Sequence, residues 1–287
     1  MQKNIVVSLH CQTFGIANAL AALFPEHQVT PLLLPAPTDE AGQSTLRDML
    51  EEAEFWLTCG QQKLATGLQV KTLGVPTLYF DAFHPDLIYA TQRSTGKITQ
   101  HHYNSLIAVW AYNNRVTPQD ATRLYREEVY RAMGYLDRWA QSAAHLRQLF
   151  SASGLEPSAF TAFFRAIKRQ GLFMYSVNHP YPQVLVELSK QLALQMGAAP
   201  PLVHREIIIP DAMTSLIWPV YPEIGTELGL DGHYIWRING KEIHGLLNYL
   251  EFSYQAYEAQ GILPGALLPA IQAPEFEVIL SKALHRP

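Results

Sequence analysis

The sequence has only two cysteines, Cys11 and Cys59, and no long run of one charge or of apolar residues. Two cysteines allow at most one disulfide, which excludes a disulfide-stapled scaffold; in a chain of 287 residues both are expected to be thiols. No apolar stretch reaches the roughly 18 residues of a membrane span. The N-terminal Met-Gln-Lys-Asn enters an apolar run without a signal-peptide layout, giving the expectation of a cytoplasmic protein with no transmembrane segment. With 21 basic against 25 acidic residues, net −4, there is no global footprint for nucleic acid or anionic lipid, and an anionic ligand needs a local basic pocket. A Walker loop, GxGxxG, GxSxG and HExxH are all missing, which argues against phosphate-loop, dinucleotide, α/β-hydrolase and zincin chemistry in turn. Adjacent His101 and His102 lack the i, i+4 spacing of a helical metal pair, and no metal is expected.

What is present is globular: 48% hydrophobic and 16% charged residues. Asn4 to Leu9 is a β-branched run, and Phe14, Ile16, Ala17, Leu20, Leu23 and Phe24 then recur at helical spacing, so strand, tight turn and helix follow in order. Further strands are expected at Gln28–Leu34, Phe55–Thr58 and Thr77–Phe80, with helices at Ser44–Ala53 and Gln61–Leu73. This alternation predicts an α/β fold, a parallel sheet flanked by helices, as one domain over 1–287. Residues 81–170 read as a large helical insertion, with Thr117-Pro118 as N-cap and first helical residue of an amphipathic run to Phe150. Leu172–Val177 is expected to return as a strand, followed by a helix over Pro182–Met196, a strand at Tyr234–Ile238 and a helix over Leu246–Gln260.

Cys11 falls where the C-terminal edge of the sheet meets the first helix. Ligands of open α/β sheets bind at that edge. The free amides of a helix N-terminus favour a thiolate and an oxyanion alike, which suits acyl chemistry; a buried structural cysteine is the plain alternative. Asn178-His179-Pro180 again follows an expected strand and precedes a helix, so His179 is expected over the same edge as a base for Cys11, against the plain reading of a cap or solvated loop residue. His10, Gln12, His84, Tyr103 and Asn178 are the candidate substrate contacts.

His10-Cys11-Gln12 after the first strand resembles the Asn-Cys-Gln signature of WcbI-type polysaccharide-biosynthesis acetyltransferases, with His10 in place of asparagine. Phe80 to Asp86 is similar to that family's aromatic-Gly-aromatic-His-Pro-Asp segment, with Ala82 in place of glycine; Asn178-His179-Pro180 and Trp218-Pro219-Val220-Tyr221-Pro222 resemble two further segments in the same order. The resemblance spans nearly the whole chain. It implies coenzyme A or acetyl-CoA as ligand, a sugar acceptor from capsular or surface polysaccharide synthesis, and a core similar to SGNH hydrolases and flavodoxin-like sheets. Cys11 and His179 match the SGNH nucleophile and histidine, while Ser176 stands where the SGNH acid would be, so a Cys-His pair is implied rather than a triad.

The leading expectation is therefore CoA-dependent acyl transfer to a carbohydrate hydroxyl, with His179 as base and Cys11 as acyl acceptor or its neighbour. An SGNH-like esterase or thioesterase, and a non-catalytic sugar- or nucleotide-binding protein, are the alternatives. Lys63, Arg93, Lys97, Arg115, Arg205 and Lys241 are unranked candidates for the CoA phosphates.

Overall fold

The β-branched run near the N-terminus is strand β1 (Lys3–Leu9) of the computed structural model, which describes residues 3–34, 39–60, 67–99, 103–270 and 275–285. After the turn come α1 (Thr13–Leu23), β2 (His27–Leu33), α2 (Glu40–Glu51), β3 (Ala53–Thr58) and β4 (Lys71–Gly74). The four strands form a parallel sheet in the order β2-β1-β3-β4, flanked by helices, as the alternation predicts. β1 lies centrally, and Ile5 and Val7 are fully buried, each contributing roughly 1.5–3 kcal/mol by removal from water. Trp56 of β3 donates to Ser8 Oγ of β1 at 2.7 Å inside the sheet, satisfying both polar groups.

The fourth strand is not where the sequence puts it. Lys71–Gly74 pairs with β3, contradicting the expected helix over 61–73; residues 61–66 lie outside the described set. The ladder continues for one bond, Val75 N–H to Thr58 O at 2.9 Å, and stops at Pro76, which has no N–H to give. Thr77–Phe80 is therefore not a strand. Gly74 is required: a Cβ there would collide with the Ser153 carbonyl, a backbone atom. Leu172–Val177 is likewise not a strand. Tyr175 N–H bonds His179 O at 2.7 Å and Tyr181 N–H bonds Phe173 O at 3.0 Å, so the segment folds back on itself, and the bond from Phe80 N–H to Val177 O at 2.7 Å does not extend into a ladder.

Two compact units emerge, Met1–Phe80 with Ala143–Met213 and Asp81–Ser142 with Thr214–Pro287. The expected insertion at 81–170 coincides with neither. The first unit holds the parallel sheet, the helix Pro157–Lys168 and the helix Pro182–Gln195, whose Val184, Leu185, Leu188 and Leu192 are buried. In the second unit the amphipathic run after Thr117 is broken into Pro118–Ala121, Glu127–Ala132 and the start of Arg138–Ala152; Thr117 caps the first by accepting from Asp120 N–H at 3.1 Å. The second unit also has strands, among them Leu216–Ile217, Ile235–Ile238 and Lys241–His244 in one antiparallel sheet. Its heart is Asp86, wholly buried, accepting from Ile107 N–H at 3.1 Å, Tyr135 OH at 3.1 Å and Tyr221 OH at 2.8 Å. Among the described residues no helix is long and apolar enough to cross a membrane.

Candidate functional site

The turn from β1 into α1 is fixed by Thr13. Its hydroxyl donates to His10 O at 2.7 Å and accepts from Leu9 N–H at 3.2 Å, while its own N–H reaches His10 O at 3.1 Å. This local bonding presents His10 and Cys11 at the surface of the C-terminal sheet edge and turns Gln12 inward.

Gln12 is 3% exposed, and its amide is fully engaged. Oε1 accepts from Leu78 N–H at 3.2 Å; Nε2 donates to Leu78 O at 3.0 Å and to Asn178 O at 3.0 Å. The side chain thus replaces the ladder that Pro76 ended, and it ties three segments together: the end of β1, the chain after β4, and the Asn178-His179 loop. Gln12, a candidate substrate contact, bonds the protein's own backbone through both atoms of its amide.

The Asn178 carbonyl that accepts from Gln12 is also 4.0 Å from Cys11 Sγ, within reach of the thiol as donor. Cys11 thus adjoins the residue before His179. The loop is held by Ser176 Oγ donating to Asn178 Oδ1 at 3.3 Å and by the bridge between Met174 and Pro180, and Pro182 then opens the helix. His179 is half-buried, and loss of water lowers its pKa from 6.5, leaving the ring neutral at physiological pH.

The electrostatics of Cys11 depart from the sequence expectation. Although the residue is exposed, protein packed around Sγ removes enough water to push the thiol pKa up from 9.0; the backbone N–H groups of Cys11 and Gln12 pull it down but are outweighed, and Cys59 adds to the rise. A helix N-terminus alone therefore does not make this thiol a thiolate. Cys59, one residue beyond β3, is half-exposed.

Two open depressions meet at Cys11. One, about 10 Å³ or room for a single water, is bounded by Leu9, His10, Gln12, Pro76 and Thr77. The other, also about 10 Å³, is bounded mainly by apolar groups, Gly15, Pro180, Pro182, Leu185 and Met213, with Asp211 at its side. Tyr175 OH donates to Asp211 Oδ2 at 2.5 Å, and Asp211 Oδ1 accepts from Met213 N–H at 3.2 Å. Asp211 and Met213 escaped the sequence reading because they follow an apolar run, 206–209, with no motif of its own.

His84 and Tyr103 belong to the other unit. His84 is 1% exposed, and burial lowers its pKa to about 3, with the Trp218 backbone and the Asp81 charge pulling weakly the other way. The ring, a candidate substrate contact, is an interior group. Tyr103 is half-buried and packs on Tyr89 with ring centroids 5.3 Å apart. His101, His102 and Lys63 lie outside the described residues. Of the remaining basic candidates, Arg205 shares the unit of Cys11, and Arg93, Lys97, Arg115 and Lys241 belong to the other.

The fold has a solved counterpart: a structure of WcbI, called a novel polysaccharide biosynthesis enzyme and described as the native protein without a disulfide bond between CoA and one of its cysteines. It matches at TM-score 0.71 and 14% identity, over 99% of this chain and 94% of that one. A metal-free mutant of a periplasmic metal-binding protein from Candidatus Liberibacter asiaticus matches at TM-score 0.21 and 14% identity, over 88% of this chain and 97% of that one, too low a score to carry an argument. No curated protein matches significantly by sequence. The family model described as "Polysaccharide biosynthesis enzyme WcbI" matches residues 4–201, well over half of the chain, and includes Cys11, Gln12, Asn178 and His179. The chain is a member of the WcbI family of polysaccharide biosynthesis enzymes.

Proposed function

We propose that the protein transfers an acyl group, acetyl in the simplest case, from coenzyme A to a hydroxyl of a saccharide in capsular or surface polysaccharide synthesis, with Cys11 and His179 at the reaction centre. The observation that carries this reading is the placement of Cys11 Sγ 4.0 Å from the carbonyl of Asn178, the residue before His179, at the C-terminal edge of a parallel sheet. The CoA named for the solved WcbI structure, in connection with a cysteine of that protein, supports the choice of acyl carrier.

The residues present fit such a donor. The depression bounded by Pro180, Pro182, Leu185 and Met213 sets apolar surface beside the thiol, and its volume of about 10 Å³ means that the uncharged arm ending in the thioester would rest on it rather than fill it. A neutral His179 is a competent base, and a protonated Cys11 needs one. In the covalent route His179 takes the Cys11 proton and Sγ bonds the acyl carbon. The departing CoA sulfur receives that proton. His179 then takes the proton of the saccharide hydroxyl as its oxygen attacks the acyl-cysteine, and the proton returns to Cys11. The N–H groups of Cys11 and Gln12, which face Sγ, favour the transient thiolate.

The raised thiol pKa favours a second reading, direct transfer: His179 deprotonates the saccharide hydroxyl and Cys11 shapes the thioester site. Incubation with acetyl-CoA followed by peptide mass mapping separates the two. An acetyl group trapped on Cys11, and no transfer by Cys11→Ala, supports the covalent route. Transfer surviving in Cys11→Ala overturns it, and CoA release unaffected by any saccharide points instead to a thioesterase.

A further inference from the structure

The second unit carries a groove of its own. It lies between the strand Lys241–His244 and the helix Leu246–Ala259 and has a volume of about 370 Å³. Asn239 and Gly240, both with positive φ (51° and 76°), make the tight hairpin that sets this strand beside Ile235–Ile238. The helix buries Tyr249, Leu250, Ser253, Tyr254 and Tyr257, which turns Asn248, Glu251, Phe252 and Gln255 towards the groove. Ile243 and Phe252 supply apolar surface, and Lys241, Glu242, His244, Asn248, Glu251 and Gln255 supply polar groups.

Glu242, His244, Asn248 and Glu251 each have a hydrogen-bond partner within the protein. Glu242 accepts from Arg237 Nη2 at 2.6 Å and pairs with His244 Nε2 at 3.2 Å; Asn248 Nδ2 donates to His244 O at 2.8 Å; Gln119 Nε2 donates to Glu251 Oε1 at 3.5 Å. Lys241 and Arg237 offset Glu242 and Glu251, so these four groups carry no net charge to draw in phosphates or uronates. Apolar surface edged by amide and carboxylate groups matches the two-sided chemistry of a sugar ring, which presents a C–H face and a rim of hydroxyls.

We infer that this groove binds a neutral saccharide chain, with Phe252 against a sugar face and Asn248 and Glu251 on its hydroxyls. The inference deepens the proposed function by naming where a saccharide is held, and it rests on that reading for the identity of the ligand as acceptor.

The test uses the full chain on an array of bacterial surface oligosaccharides, neutral and uronic-acid-containing, followed by calorimetric titration of the best binder. Neutral saccharides are expected to bind. Phe252→Ala and Asn248→Ala should each weaken binding by at least about fivefold, while Phe252→Tyr retains it. Asn248 is exposed, so Asn248→Ala keeps the test decisive if Phe252→Ala melts early. Binding of no saccharide, binding of acidic ones alone, or unchanged affinity in folded alanine variants overturns the inference. CoA-induced thermal stabilisation, measured on the same samples, tests the acyl-transfer reading separately: a bound saccharide without CoA stabilisation keeps the groove and sinks the transfer.

Discussion

The side-chain amide of Gln12 pairs with both backbone groups of Leu78, at 3.2 Å and 3.0 Å, as a neighbouring strand would. The same nitrogen holds the Asn178 carbonyl beside Cys11, so one buried residue links the sheet edge to the placement of the thiol and of the loop that carries His179.

Gln12→Ala leaves the Leu78 N–H and the Leu78 and Asn178 carbonyls without this partner inside the protein. The expected loss is on the order of 3 kcal/mol of stability, read as a lowered urea midpoint. Gln12→Glu keeps the acceptor but loses the donor, and it should melt below the wild type and alkylate at Cys11 with altered kinetics. A melting point and Cys11 reactivity unchanged in both variants would show that the amide positions nothing.

His179 should control the acid limb of transfer. Burial lowers its pKa from 6.5, so the active neutral form persists below that pH and the limb of kcat/KM falls at a midpoint under 6.5. His179→Gln should abolish the limb and cost roughly 10²–10⁴ in rate. A limb above 6.5, or one retained in the variant, would assign the base elsewhere.

The thiol of Cys11 gives a complementary profile. Iodoacetamide reacts with thiolate, so in the free protein alkylation of Cys11 should rise with a midpoint above 9.0, because the lost hydration outweighs the two backbone N–H groups. A midpoint below 9.0 would mean that the helix end dominates after all.

The second unit makes its own prediction, from Asp86 and His84. Burial raises the Asp86 carboxyl from 3.8 to about 6 against the donors Tyr221, Tyr135 and Ile107, so its folded form holds a proton that the unfolded chain has released; its contribution is full below 3.8 and is lost as pH rises to about 6. His84, lowered from 6.5 to about 3, acts in the opposite sense: its contribution is full above 6.5 and is lost as pH falls towards 3. Between about pH 4 and 6 the two slopes oppose each other, each about 1.4 kcal/mol per pH unit. Asp86→Asn should therefore make stability fall on acidification from pH 6 to 4, and His84→Phe should make it rise. Identical pH slopes in wild type and both variants would show that neither group is shifted.

The placement of Cys11 and the helix after Pro182 was legible because both depend on local signals: a β-branched run ended by a tight turn, and proline at a helix start. Lys71–Gly74 was not legible, because its strand identity comes from the free edge of β3 and from the approach of Ser153 to Gly74, both long-range. Leu172–Val177 has the composition of a strand, yet Tyr175 and Phe173 bond residues a few positions away and the one bond from Phe80 to Val177 builds no ladder. The chemistry of the site divided the same way. That Cys11 adjoins the His179 loop followed from topology, but the inward turn of Gln12 and the net rise in the thiol pKa depend on packing that no motif encodes.

The central claim is that Cys11 lies at the CoA site. The most direct measurement is the rate of iodoacetamide labelling at Cys11 and Cys59, resolved by peptide mass mapping, with and without saturating CoA under reducing conditions. The account predicts strong protection of Cys11 and labelling of Cys59 that continues; equal labelling of Cys11 with and without CoA would contradict it.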